Sequence, residues 1–171
     1  MRIRIGPLSL LKRRRVRWPE LLANSSVEQD VDSSGVPDFW NISTSGAEWS
    51  NVEARIGGRS LRLNVSSGTG QWISYVFAVV AGQVYRLSAY VKGTGSTQTF
   101  LTIRWWSDTG GSAFISENNI ALNVSHADWT VVEQAITAPA GAQSADVVFR
   151  CPAATTADLY GDDFSVRRVK S

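Results

Sequence analysis

AGQVYRLSAYVKG, residues Ala81 to Gly93, reads as a β-strand between two turns. Val84 to Val91 alternates apolar and polar side chains, the period of a strand with one buried face, and glycines bracket it on both sides. The same pattern repeats outward. Toward the N-terminus, Ser60 to Val65 (SLRLNV) alternates, and Trp72 to Val80 (WISYVFAVV) begins as alternation and ends as a continuous apolar run. Toward the C-terminus, Phe100 to Trp105 (FLTIRW) and Ala145 to Phe149 (ADVVF) alternate, and Trp129 to Ile136 (WTVVEQAI) is rich in β-branched residues. SSGTG, KGTGS, DTGGS, PAGAQ and CPAATTAD separate these runs as hairpin and loop signals. Helical periodicity is nearly absent; only Trp18 to Ala23, where Pro19 and Glu20 suit a first turn, is compatible with a helix. Short strands at this spacing predict an all-β sandwich or barrel.

The composition agrees. The chain has 171 residues, 43% hydrophobic and 19% charged, with seven Trp and 14 Gly. That describes one β-rich globular domain with an appendage. About 150 residues lie beyond the appendage, enough to bury roughly two-thirds of the surface an unfolded chain exposes. Cys151 is the only cysteine, so the fold needs no disulfide within the chain. It reads as a small buried hydrophobe at a strand end. The only histidine, His126, lies in the turn-like SHAD, which gives that thiol no base partner in the sequence.

The appendage is the first 18 residues, MRIRIGPLSLLKRRRVRW. It carries Arg2, Arg4, Lys12, Arg13, Arg14, Arg15 and Arg17 and no acid. These are seven of the 17 basic residues; the other ten face all 15 acids, so a net charge of +2 splits into +7 on the arm and −5 on the body. Such an arm suits an anionic partner or an assembly lattice. It is a poor secretion signal, because IGPLSLL is short, broken by Pro7 and followed rather than preceded by the basic cluster. No segment reaches the ~20 apolar residues of a membrane span. KRRRVRW has the charge to contact nucleic-acid phosphates. It equally suits an acidic groove on a protein, and Arg2-Ile3-Arg4-Ile5 alternates as an added edge strand does. A solvated tail is the plain alternative. The domain reading is a basic arm over 1–18 and a body over 19–171.

Several blocks of the body resemble the jelly-roll carbohydrate-binding modules of families 4, 9 and 22. Glu20 to Glu28 (ELLANSSVE) resembles that group's opening block, with Val27 where the group has Phe. GGRSLRLNV at Gly57 to Val65, AGQVYRLSAYVKG at Ala81 to Gly93 and WTVVEQAITAPAGAQSADVVF at Trp129 to Phe149 are similar to successive strands. Asp162-Asp163-Phe164 resembles the terminal Asp-Asp block. The resemblance runs from Leu21 to Val166 and implies an all-β jelly-roll β-sandwich.

It also implies two candidate sites. In the resembled group, an acid near the first strand and one near the last hold a structural Ca²⁺, which maps here onto Glu28, Asp162 and Asp163; carboxylate oxygens suit that ion. The alternative is that these acids cap turns and accept backbone hydrogen bonds. The second site is aromatic. Trp72, Tyr75, Trp105 and Trp106 are candidates for stacking on a sugar ring, since a flat apolar face matches a pyranose. Trp105 and Trp106 are adjacent and point to opposite faces of a strand, and so do Trp72 and Tyr75, three apart. The alternative places the aromatics, with Trp40, Trp129 and Tyr85, in the core or against a neighbouring subunit.

No enzyme constellation is present in the sequence. Asp108, Glu117, Asp128 and Glu133 are scattered without the pairing that glycoside hydrolysis needs, and the glycine-rich loops lack a phosphate-binding context. The resulting expectation is a non-enzymatic virion structural protein, a capsid decoration or tail-associated component assembled in the host cytoplasm. Its basic arm anchors it to major capsid or tail subunits, as a homo-oligomer, and its jelly roll faces outward with a glycan as a further partner. Nucleic acid ranks below a protein lattice as the arm's partner. The alternative is a secreted carbohydrate-binding module of a glycan-degrading system.

Overall fold

A computed structural model describes residues 18–66, 68–95, 98–122, 125–152 and 156–169. The arm residues Arg2, Arg4, Lys12, Arg13, Arg14, Arg15 and Arg17 lie outside the described residues.

Among the described residues, eleven strands form two antiparallel sheets. In chain order they are β1 (Trp40–Ile42), β2 (Ala47–Ser50), β3 (Ser60–Val65), β4 (Gly70–Ser74), β5 (Phe77–Ala78), β6 (Val84–Thr94), β7 (Phe100–Trp106), β8 (Phe114–Ala121), β9 (Ser125–Thr137), β10 (Ser144–Cys151) and β11 (Ala157–Arg168). One sheet runs β1-β4-β10-β7-β8, with β5 also paired to β10; the other runs β2-β3-β11-β6-β9. Apart from β2-β3 and β7-β8, which pair as neighbours, and β4 and β5, which share a sheet, consecutive strands cross between the two sheets, as in the all-β jelly-roll sandwich the sequence implies.

The alternating runs become β3, β6, β7 and β10, each within a few residues of its expected ends. Two expectations need correction. Trp18 to Ala23 forms no helix: Glu20 bridges Arg167 and the Leu21 N–H donates to the Val166 carbonyl, so strand-like pairing satisfies the backbone there. Ser125 to Asp128 is not a turn but the start of β9. β8 escapes the periodic reading because, as an edge strand, it buries little. β11 escapes it because its register shifts between Asp162 and Ser165, breaking the alternation.

The core lies between the sheets. Leu61, Leu63 and Val65 of β3, Leu87, Ala89 and Val91 of β6, and Leu159, Phe164 and Val166 of β11 face Trp72 of β4, Leu101, Ile103 and Trp105 of β7, and Val147, Phe149 and Cys151 of β10. Each large side chain fully removed from water contributes about 1.5–3 kcal/mol before conformational entropy is subtracted. Phe164 anchors the centre, with ring centroids 5.0 Å from Trp40 and 5.7 Å from Phe149. Gly161 makes room for this cluster: a Cβ there would collide with both Phe164 and Phe149.

Candidate functional site

Strand alternation sorts the sequence-derived aromatics. Trp105 faces inward with no exposed surface, its indole N–H donating to Asn118 Oδ1 at 2.8 Å. Trp72 is likewise fully buried and donates to the Arg62 carbonyl at 3.2 Å. Neither ring has a face for a sugar, and both leave the list of glycan contacts as a correction. Trp106 and Tyr75 point the other way, onto the outer face of the β1-β4-β10-β7-β8 sheet.

Local structure explains how Tyr75 is presented. β4 and β5 both pair with β10, and the pairing is interrupted between them at Tyr75 and Val76. The Ser74 hydroxyl accepts the Val147 N–H at 2.9 Å across the break. The Tyr75 N–H donates to the Phe39 carbonyl at 2.8 Å. Phe39 has a positive φ of 65°, unusual for an aromatic, which turns its ring outward while Trp40 enters the core. The Phe39 and Tyr75 rings meet edge to face at 5.9 Å.

The other half of the rim is built by β7, β8 and their hairpin. The register shifts opposite Trp105 and Trp106, and Phe114 pairs with Trp106, rings edge to face at 5.6 Å. Asp108 holds the hairpin closed by accepting the Ser112 N–H at 3.0 Å and the Ala113 N–H at 3.2 Å. The Ser112 hydroxyl comes first among the contacts that lower the Asp108 pKa. Gly111, at φ +72°, brings the hairpin against Val76 and Trp106.

The result is a rim of rings along one end of the sheet, in strand order: Phe39 before β1, Tyr75 after β4, Trp106 ending β7 and Phe114 starting β8. Four strand-to-strand steps at ~4.8 Å give it a length of about 19 Å. Phe39, Tyr75 and Phe114 are 45%, 54% and 56% exposed; Trp106 is the base between them at 9%. Phe39 and Phe114 were not singled out from sequence. Their signals were present but weak: an aromatic pair at Phe39-Trp40, and a lone Phe directly after a glycine-rich turn.

Below the rim the same face is polar and internally paired. Arg104 grips Asp146 in two parallel contacts, Nε to Oδ1 at 2.8 Å and Nη2 to Oδ2 at 2.6 Å. Burial raises the Asp146 carboxyl above the usual carboxylate range, and the Arg104 contacts offset only part of that. Arg150 Nη2 donates to Glu117 Oε1 at 2.5 Å and to Asn119 Oδ1 at 3.2 Å, and the Thr102 hydroxyl donates to that same Asn119 oxygen at 2.6 Å. Partial burial works to raise the Glu117 carboxyl, but hydrogen bonds from Arg150 and Asn119 outweigh it and hold it below the usual range. These fixed, planar groups beside open rings are what a ligand rich in hydroxyls needs.

The acids considered for calcium sit on the opposite sheet's side of the molecule and do a different job. Glu28 accepts the Gly58 and Arg59 N–H groups, each at 3.0 Å. Asp162, fully buried, accepts the Arg55 N–H at 2.8 Å, the Ile56 N–H at 3.2 Å and the Asp163 N–H at 2.6 Å. Burial raises its pKa, and those backbone donors oppose the rise. Asp163 pairs with the Arg55 guanidinium. Glu28 and Asp162 therefore hold the 55–59 loop from two sides. Gly57, at φ +76°, leaves the room that the Glu28 carboxylate occupies. Donors, not lone pairs, converge on these oxygens, so Glu28, Asp162 and Asp163 as arranged do not fit an ion. Among the described residues, the group of acids close enough to share a cation is instead Asp30, Asp32 and Asp38, whose ligand atoms lie within 4.8 Å of one another in an exposed loop. Those carboxylates accept N–H groups of their own loop, Asp30 from Ser34 and Gly35 and Asp38 from Val31. Also among the described residues, no helix is long and apolar enough to cross a membrane.

No protein-family profile and no curated protein sequence matches this chain. Solved structures do. The chain is similar to a family 16 carbohydrate-binding module at 20% identity and a TM-score of 0.60, over 88% of this chain and 99% of that one. It is similar to the CBM22-1 xylan-binding domain of Xyn10C from Paenibacillus barcinonensis at 20% identity and a TM-score of 0.59, over 90% and 97%. It is also similar to part of tailspike protein 4 of bacteriophage CBA120, at 15% identity and a TM-score of 0.57, over 77% of this chain and 20% of that one. The fold is thus that of jelly-roll carbohydrate-binding modules, as the sequence blocks imply.

Proposed function

We propose that this domain binds a polysaccharide chain across the outer face of the β1-β4-β10-β7-β8 sheet. The observation that carries the reading is the rim of open rings, Phe39, Tyr75 and Phe114 around Trp106, above a floor of fixed hydrogen-bonding groups. Rings supply apolar faces for pyranose stacking, and Asn119, Thr102, Arg104 and Arg150 supply donors and acceptors for hydroxyls. The two acids of the floor, Asp146 and Glu117, are each bound to an arginine. Neither is free to act as a general acid or base, which supports binding without catalysis. Affinity electrophoresis through gels containing soluble xylan, β-1,4-galactan or mixed-linkage glucan tests the reading. It expects retardation by at least one polysaccharide and loss of that retardation in Tyr75→Ala and Phe114→Ala. Migration unaffected by any neutral polysaccharide would overturn it.

A second reading concerns where the domain works. The likeness to part of a phage tailspike and the +7 arm support a particle protein. In this reading the arm anchors a homo-oligomer to capsid or tail subunits and the glycan face points outward, toward host or environmental polysaccharide. Co-sedimentation with purified particles tests it: the full chain sediments with the particle, and a chain whose seven arm cations are changed to glutamine does not. Equal sedimentation of both would contradict it.

A further inference from the structure

We infer that β9 is a docking edge for the N-terminal arm of a second copy of this chain, which adds to the sheet as an antiparallel strand. β9 is the longest strand among those described, 13 residues, and it is the last strand of its sheet, with β6 on one side only. Thr130–Thr137 pairs without interruption to Val84–Val91, so eight consecutive residues present a regular outer edge. Folded proteins usually blunt such an edge with lysine, proline or a bulge. Ser125–Thr137 contains no lysine, arginine or proline, and its register shift lies outside the eight-residue run. Its charged groups are acids, Asp128 and Glu133. Among the described residues, Glu133 forms an ion pair with Arg86 alone, at 3.9 Å with both side chains more than half exposed.

The occupant follows from charge and pattern. The arm is the most basic segment of the chain, and Arg2-Ile3-Arg4-Ile5 alternates at the strand period. On β9, Val131, Glu133 and Ala135 lie on the outer face with Arg86 and Ser88, while Val132 and Ile136 face the core side. An added strand with this alternation sets its arginines beside Glu133 and its isoleucines beside Val132. A second copy supplies it better than the same chain. The described chain starts at Trp18, held under Arg168, 5.5 Å from guanidinium to ring. Arg168 pairs with Tyr85, and Val84 with Thr137, so the described chain begins near the Thr137 end of β9. A strand running straight on from Trp18 along β9 would lie parallel to it, whereas every strand pair among the described residues is antiparallel. A second copy can enter from the opposite end.

The test uses the full chain and three variants, followed by sedimentation equilibrium and by hydrogen exchange of the β9 amides. The wild type associates, and its Thr130–Thr137 amides become more protected as protein concentration rises. Ile3→Pro with Ile5→Pro removes the added strand without touching the body, and association falls by on the order of tenfold or more. Gln134→Lys puts a charge on the core side of the edge, where the added strand would set its isoleucines, and has a similar effect. Arg2→Glu with Arg4→Glu weakens association and lessens its dependence on salt. A wild type that stays monomeric at all concentrations overturns the inference. So does an oligomer that both the proline and the Gln134→Lys variants leave intact. A monomer whose β9 amides are protected only when the arm can form a strand also overturns it, since its own arm would then hold the edge.

Discussion

The two outer faces of the sandwich carry similar residue types and treat them differently. On the β2-β3-β11-β6-β9 face, arginines cover the rings: Arg55 lies 3.4 Å from the Tyr90 centroid and Arg62 5.0 Å from that of Tyr160. Arg62 in turn bridges Glu48 and Asp158, which raises its pKa. On the β1-β4-β10-β7-β8 face, Arg104 and Arg150 also lie over rings, 5.1 Å from the Trp106 centroid and 5.9 Å from that of Phe100, but among the described residues the rim rings Phe39, Tyr75 and Phe114 meet each other or Trp106 rather than a guanidinium. An aromatic side chain is therefore a poor marker of function by itself; an aromatic side chain left uncovered is a better one. Both faces spend their charges internally, so the contrast rests on ring exposure rather than on net charge.

The largest expected effect breaks the comparison from beneath. Trp72→Ala or Trp105→Ala removes a fully buried ring from the shared core, and each lowers stability by about 3–5 kcal/mol in a denaturant titration. Sugar binding then disappears only because the fold does. Asp162→Ala comes next. It leaves three buried N–H groups without their acceptor and costs about 1–3 kcal/mol, the same in chelator as in excess calcium, if the acid serves the loop and not an ion.

Smaller in stability but sharper for function are the rim variants. Tyr75→Ala and Phe114→Ala shift stability by no more than about 0.5–1 kcal/mol, because half of each side chain is already in water. Each weakens polysaccharide binding by roughly tenfold, the scale of one ring contact. Tyr90→Ala on the other face loses a cation–π contact and leaves binding unchanged.

The smallest effect is one of pH. The Glu117 carboxyl lies below its ordinary value in the fold, so its contribution is present above the unfolded value of about 4.3 and is lost as pH falls through the folded value. Glu117→Gln flattens that part of the acid limb of stability, by less than about 1 kcal/mol for a partly exposed pair.

Much of this was legible in the sequence, and the limits have physical causes. Alternation at Trp105-Trp106 and across Trp72 and Tyr75 guarantees that one member of each pair faces away from the core. It does not say which, because a period of two fixes relative direction only. The answer required register: Trp105 opposes Ala145 and Trp72 opposes Phe149, both core residues of β10. Phe39 was hidden for another reason. Its outward direction depends on a left-handed backbone at a non-glycine residue, which no propensity announces. Glu28 accepts from Gly58 and Arg59 and Asp162 from Arg55 and Ile56, so both acids serve one loop. An acid that caps backbone N–H groups and an acid that binds an ion look alike in sequence, and only the converging donors distinguish them.

The central claim is that open rings on one face, and not covered rings on the other, bind polysaccharide. Its most direct test is calorimetric titration of wild type, Tyr75→Ala with Phe114→Ala, and Tyr90→Ala with whichever soluble polysaccharide retards the wild type in gels. The account predicts full binding by wild type and Tyr90→Ala and at least a tenfold loss in the rim variant, with all three equally folded by circular dichroism. Unchanged binding in the rim variant, or its loss in Tyr90→Ala, would contradict it.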